Sequence, residues 1–407
     1  MPSSDLLAKY ADVAISVGIA LEPGDRLLVH SSIDAADFAR VIVEQAYEAG
    51  AKNVDVVWND DAVSRARFDR GTESASDVVS STSLGRLAAF EAGDKMLYVF
   101  ANDPNAMAGM DPGKMAKFQH VNMNALEPLY QAQGTLTRPW TIVAAPNPAW
   151  ATSVFPDVDQ ATAIELLWSA IFRACRADQD DPVAAWRAHA ADLGARSAYL
   201  TARGYTSLRY EAPGTDLRLG LPEGARWAGG NAGTGFVPNI PTEEVFAAPH
   251  RLIGEGTVTA TKPLSLFGSL IEGFSFEVSE GRIVKGQAAT GQDVLDQLLT
   301  TDEGSVRFGE TAMVPMSSAV AAEELIWNNT LYDENDGCHI AIGRAYPISI
   351  DGGVEMTPDE LVECGLNQST THVDFVVGSP DLNVYGVLES DDEEPIISNG
   401  EWGFSPY

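Results

Sequence analysis

The sequence predicts an α/β N-terminal domain with a mainly parallel sheet, followed by a β-rich α+β C-terminal domain. Three observations lead there. At 407 residues the chain is longer than one hydrophobic core ordinarily serves. Up to about residue 200, apolar runs of strand length alternate with helical patterns, the grammar of βαβ units. Beyond about residue 205, short β-like runs follow one another with turn residues between them. The boundary is expected near 195–206, giving an α/β domain over 1–200 and a β-rich domain over 201–407.

The opening "MPSSDLLAKYADVAISVGIALEPGD" reads as an amphipathic helix. Its Asp and Lys among apolar residues, without a basic leader, set it apart from a signal peptide. "DRLLVHSS" (25–32) is a strand, "DAADFARVIVEQAYEAGA" (34–51) a helix ending at Gly50, and "NVDVVWN" (53–59) a second strand. A helix over 80–93 leads to the strand "DKMLYVFAN" (94–102), and a helical stretch near 112–133 leads to "PWTIVAAPNP" (139–148). Helical pattern over roughly 158–203 closes this half. In the second half, "SLRYEAPGTDLRLGLPEG" (207–224) reads as a hairpin turning at "PGTD". One helix, "GQDVLDQLLTTD" (291–302), interrupts the strand-like runs, and no internal repeat is found.

Composition narrows the partners. The net charge is −32, from 58 acidic and 26 basic residues. Such a surface repels phosphate backbones and anionic lipids, so neither nucleic acid nor a membrane is expected as a partner. Runs such as "DQDD" (178–181) and "ESDDEE" (389–394) read as solvated loops. Three cysteines (Cys175, Cys338, Cys364) without CxxC spacing fit a reducing compartment. No apolar stretch reaches the length of a membrane span, and a cytoplasmic location is expected.

The chain holds neither a GxGxxG nor a P-loop pattern, no GxSxG elbow and no HExxH or zinc-ribbon spacing. "GGNAGTG" (229–235) follows no clear strand and reads as a flexible loop. What stands out is a set of polar residues in apolar or β-like surroundings, all in the second half. "NIPTEEVF" (239–246) carries Glu243 and Glu244, and "SVRFGETAMVP" (305–315) carries Glu310. "DENDGCHIAIGRAYP" (333–347) carries His339 and Tyr346, and "TTHVDFVVGSP" (370–380) puts His372 and Asp374 on one face of a strand. A buried carboxylate without a partner costs several kcal/mol, and convergence on metal would satisfy them all. Oxygen and imidazole donors without thiolate suit two divalent metal ions, Zn, Co or Mn, with Asp374 as the natural bridge.

Each residue also has a plainer reading. His372 and Asp374 make a charged pair at a sheet edge, and Glu310 faces solvent on an alternating strand. Glu243 and Glu244 open a helix, where carboxylates favour the dipole. His339 is a satisfied core histidine and Tyr346 simple packing, while Cys338 points to the opposite face of its strand. His30, His120, His189 and His250 show no comparable setting.

Taken together, six blocks in order resemble the M29 family of metallo-aminopeptidases, nearly end to end. They are "RPWTIVAAPNPAWA" (138–151), "NIPTEEVFAAP" (239–249), "FGETAMVP" (308–315), "NNTLYDENDGCHIAIGRAYP" (328–347), "THVDFVVGSP" (371–380) and "NGEW" (399–402). The stretch between His339 and His372, around "ISIDGGVEMTPDE", is slightly longer than usual for the family, and the ending "GEWGFSPY" is a variation on the family's own. The resemblance implies Glu244, Glu310, His339, Tyr346, His372 and Asp374 as ligands of two ions, in the β-rich domain. It implies hydrolysis of an N-terminal peptide bond of short peptides by a homodimer, with Tyr346 a ligand or an oxyanion donor. By analogy with other di-metal peptidases, Glu243 is the candidate general base. Two rivals remain: a mononuclear Fe(II) ring-cleaving dioxygenase on the same scaffold, and a non-catalytic metal-binding protein.

Overall fold

Four apolar runs of the first half become one sheet: β1 (Arg26–Ser32), β2 (Asn53–Asn59), β3 (Lys95–Phe100) and β4 (Trp140–Ala144). All pair in parallel, in the order β2-β1-β3-β4. The computed structural model describes residues 2–231, 233–266 and 269–407. The chain forms two compact units, one of residues 1–188 with 233–241 and the other of 189–232 with 242–407. The helix Pro182–Arg203 runs through both the 188/189 division and the expected one at 200/201.

Helices of the first unit start where a short polar side chain can accept from the free N–H groups of the first turn. Ser3, Asp60, Ser80, Asp111, Asn147 and Asp159 all do this. The single helix expected near 112–133 is two, Pro112–Ala125 and Glu127–Gly134, because Pro128 lacks the N–H that would continue the first. A helix at Asp61–Arg70 left no apolar stripe to read, since it buries no residue. No helix among the described residues is long and apolar enough to cross a membrane.

The second unit is antiparallel. One sheet has eight strands: β5 (Ser207–Ala212), β6 (Thr215–Gly220), β9 (Gly254–Thr259), β12 (Ser275–Ser279), β13 (Arg282–Gln287), β17 (Asn383–Val387), β18 (Glu393–Ser398) and β19 (Glu401–Trp402). Their order is β13-β12-β9-β6-β5-β17-β18-β19, and β10 (Leu264–Leu266) with β11 (Ser269–Ile271) forms a separate hairpin. The other sheet joins β7 (Ala228–Gly229), β8 (Val245–Ala247), β14 (Phe308–Met313), β15 (His339–Gly343) and β16 (His372–Val376), in the order β16-β15-β14-β8-β7.

Register divides the five-stranded sheet into two unlike faces. Val245, Met313, Ile340, Ile342 and Phe375 lie on one and are buried in the hydrophobic core. There the Phe375 ring meets Phe276 of β12 at 5.2 Å and Phe274 at 5.8 Å. Burying a ring this way contributes about 2–3 kcal/mol. Ala312 pairs with both Phe246 and His339, and Asp374 with Ala341, so the opposite face carries Phe246, Glu310, His339, His372 and Asp374.

Strict alternation would put Phe308 and Glu310 on the same side. A bulge at Gly309 separates them: Phe308 pairs with Ile342 and enters the core, while Glu310 pairs with Ala341 and faces the other way. A Cβ on Gly309 would stand 2.4 Å from the backbone carbon and oxygen of Arg344, atoms that cannot move aside. Glycine is what allows the bulge here.

Candidate metal centre

The polar residues singled out in the second half fall on or beside that second face. Glu310 is in β14, His339 opens β15, and His372 and Asp374 lie on β16, the sheet's edge strand. Glu243 and Glu244 open no helix; they lead into β8, with Glu244 two residues before Phe246. Glu310 does not face solvent: it is 4% exposed, and His339 is 1% exposed.

The side chains converge. His339 Nε2 stands 3.1 Å from Glu244 Oε2 and 3.5 Å from Glu310 Oε1. His372 Nε2 stands 3.9 Å from Glu310 Oε2 and 3.5 Å from Asp374 Oδ1. Two triads result, Glu244–Glu310–His339 and Glu310–His372–Asp374, each with its ligand atoms within 4.8 Å of one another. Glu310 is common to both, one oxygen toward each imidazole. Asp374, expected as the bridge, stands in one of the triads, while the bulge aims the carboxylate of Glu310 on the central strand between the two histidines. Tyr346 closes one side, its ring 4.9 Å from that of His372.

Backbone carbonyls set the histidine orientations. His339 Nδ1 donates to Gly337 O at 3.1 Å, and His372 Nδ1 donates to Arg344 O at 2.7 Å. Each ring thereby carries its proton on Nδ1 when neutral and offers the lone pair of Nε2 to the cage, the arrangement that supports metal-ligating histidines.

Burial and neighbouring charges shift Glu310, His339, His372 and Asp374. Burial, and then Glu244 and Asp374, push the Glu310 carboxyl up to about 7 against the pull of the two imidazoles. Burial works against a charged His372, yet Asp374 and Glu310 raise it to about 10. His339 is likewise held well above the ordinary range by Glu244 and Glu310 in spite of burial. Burial also opposes the Asp374 carboxylate, but His372 keeps its carboxyl below the usual range.

The donor set fits divalent cations. It is all oxygen and imidazole, and the Cys338 thiol points away, donating to Val314 O at 3.3 Å. Asp374 Oδ1 is buried without a hydrogen bond of good geometry, its imidazole neighbour being 3.5 Å away. Carboxylates packed this tightly need a cation as partner.

Two neighbours escaped sequence reasoning. Glu334, in the turn before His339, has its carboxyl pushed well above the ordinary range by burial and by the charges of Asp374, Glu244 and Glu310. It reads in sequence as one more acid of "DEND", a solvated-looking run. His189, which showed no telling setting in sequence, stands with Nε2 at 3.5 Å from Glu243 Oε2 and 2.9 Å from Thr242 O. No spacing signal links residues so distant in the chain. Asn335 ties the two regions together, its Oδ1 accepting from the Glu243 N–H at 2.6 Å.

A carboxylate–imidazole cage on a sheet face defines a candidate metallohydrolase centre, and comparison with known proteins agrees. Residues 3–402 match the model of the family described as thermophilic metalloprotease (M29), and the chain belongs to that family. Membership implies use of divalent metal. Aminopeptidase 2 of Geobacillus stearothermophilus is 41% identical over 405 residues, 98% of each chain. The solved structure of wild-type AmpT from Thermus thermophilus superposes with a TM-score of 0.90 at 39% identity, covering 98% of each chain. The 2,5-dihydroxypyridine dioxygenase of Pseudomonas putida KT2440 shares the fold at a TM-score of 0.52 and 14% identity, over 98% of each chain. That last likeness concerns scaffold alone.

Proposed function

We propose that the chain is a metal-dependent aminopeptidase releasing N-terminal amino acids from short peptides. Glu244, Glu310, His339, His372, Asp374 and Tyr346 would hold two divalent ions, Zn, Co or Mn. The observation that carries this reading is the pair of triads joined through Glu310. When bound, the ions would supply Lewis-acid polarisation of the scissile carbonyl and a water acidic enough to react near neutral pH.

The protein's own groups do the rest. A cage rich in carboxylates draws a free α-amine, which confines cleavage to the first peptide bond. Glu243 would take the proton of the attacking water and return it to the leaving amine. The imidazole of His189 stands beside it, with Nε2 3.5 Å from Glu243 Oε2. Tyr346 would either join the ligands or donate its O–H to the carbonyl oxygen. Replacing it by Phe separates these: metal content falls in the first case, and only turnover falls in the second.

Family membership and aminopeptidase relatives across the whole chain weigh against the dioxygenase reading. Free thiols at Cys175, Cys338 and Cys364 support residence in the cytoplasm. The deciding experiment strips the protein with a chelator and restores Zn, Co or Mn while following leucine release from a leucine anilide. Release should vanish and return with metal, and an N-acetylated substrate should stay intact. Metal-independent release would contradict the proposal.

A further inference from the structure

We infer that Phe246 forms the apolar wall that receives the side chain of the substrate's N-terminal residue, so that large apolar residues are preferred there. The inference rests on the aminopeptidase reading and adds its specificity. Phe246 pairs with Ala312, which pairs with His339, so the ring lies on the cage face of the five-stranded sheet. It stands two residues after Glu244 on the same extended segment. Its neighbours Val245 and Ala247 are fully buried, whereas Phe246 is only half-buried. Its ring meets Tyr346 edge to face, with centroids 6.2 Å apart, and Tyr346 in turn borders His372.

The rest of that face makes the ring conspicuous. Ala312, Ala341 and Gly343 lie among the cage residues and leave a low floor, and Val376, which pairs with His339 on the same face, is buried. The sheet's other aromatic side chains, Phe308 and Phe375, lie on the core face. An aromatic surface left open beside charged groups gains by covering apolar surface brought by a ligand. A substrate bound by its amine at the cage must place its first side chain within reach of that surface.

A plainer role for Phe246 is to buttress Tyr346. The two roles differ in what substitution does, because a lost buttress weakens every substrate alike. The test compares kcat/KM for leucine, phenylalanine and alanine p-nitroanilides in metal-loaded wild type, F246A and F246L, with metal content measured in each. F246A should lose roughly tenfold or more on leucine and phenylalanine and less than about twofold on alanine. F246L should keep most of the leucine activity. An equal fall on all three substrates, or unchanged selectivity, would overturn the inference and leave the aminopeptidase reading standing. Absence of release by the wild type would overturn that reading, and this inference with it. Should F246A fail to fold, F246V carries the same comparison.

Discussion

Two carboxylate clusters among the described residues invite comparison, and of these the one in the second unit has the makings of a metal centre. In the first unit, the carboxyl ends of the parallel strands bring in Asp34, Asp60, Asp61 and Asp103. Each has a local donor. Asp34 accepts from Asn147 Nδ2 at 2.6 Å and Asp61 from the Asp103 N–H at 3.1 Å. Asp60 caps a helix through Ala62 N–H at 2.8 Å, and Asp103 accepts from Asn105 N–H at 2.8 Å. In the second unit, Glu244, Glu310 and Asp374 face two imidazoles and one another. Density of acid is common to both clusters. What differs is who satisfies the oxygens: neutral N–H donors in one, groups that must be cationic or metal-bound in the other.

Removing the shared carboxylate tests that contrast most severely. E310Q takes one ligand from both triads at once, so kcat/KM should fall at least ~1000-fold, about 4 kcal/mol of transition-state stabilisation. Steady-state kinetics with metal analysis checks it, and near-normal activity would refute the joint cage. Next comes the bulge that separates Glu310 from Phe308. A methyl on Gly309 meets fixed backbone at 2.4 Å, so G309A should cost about 3 kcal/mol of stability and most of the bound metal. Thermal unfolding and metal content read out both effects.

Asp302 sharpens the other side of the comparison within the same unit. Burial opposes its charge, but Thr370 N–H and Oγ1 and Ser369 Oγ donate to it and keep its carboxyl below the usual range. A carboxyl lowered on folding stabilises above its unfolded pKa, and the contribution is lost as pH falls through the folded value. Between pH 7 and 3 the wild type should therefore lose about 2 °C more in Tm than D302N, as scanning calorimetry would show. The smallest effect is expected at Asp61, whose carboxyl burial and then its acidic neighbours push upward. D61N should leave peptide release and metal content within about twofold of wild type. A tenfold loss would mean the first cluster has a chemical role.

How much of this could be read from the sequence varied by the kind of signal. The polar residues now found on or beside one sheet face stood out because each broke an apolar run, as His372 and Asp374 do in "THVDFVV". The parallel sheet of the first unit announced itself by alternation of patterns. Glu310's central position did not, since period-two logic puts it beside Phe308 and only a bulge at Gly309 turns it away. Glu334 was hidden in an acidic run that looks like solvated loop. His189 was invisible because its partner Glu243 lies far along the chain and meets it only after folding. Periodicity records which way a side chain faces along its own element, whereas bulges and long-range meetings depend on backbone paths it does not encode.

The central claim is that one sheet face holds a pair of cations through a shared carboxylate. Crystals grown with Zn, Co or Mn and measured at the metal's absorption edge test it most directly. The account predicts two anomalous peaks, each within about 2.0–2.2 Å of a different oxygen of Glu310. A single peak, or peaks held by other residues with Glu310 uncoordinated, would contradict it.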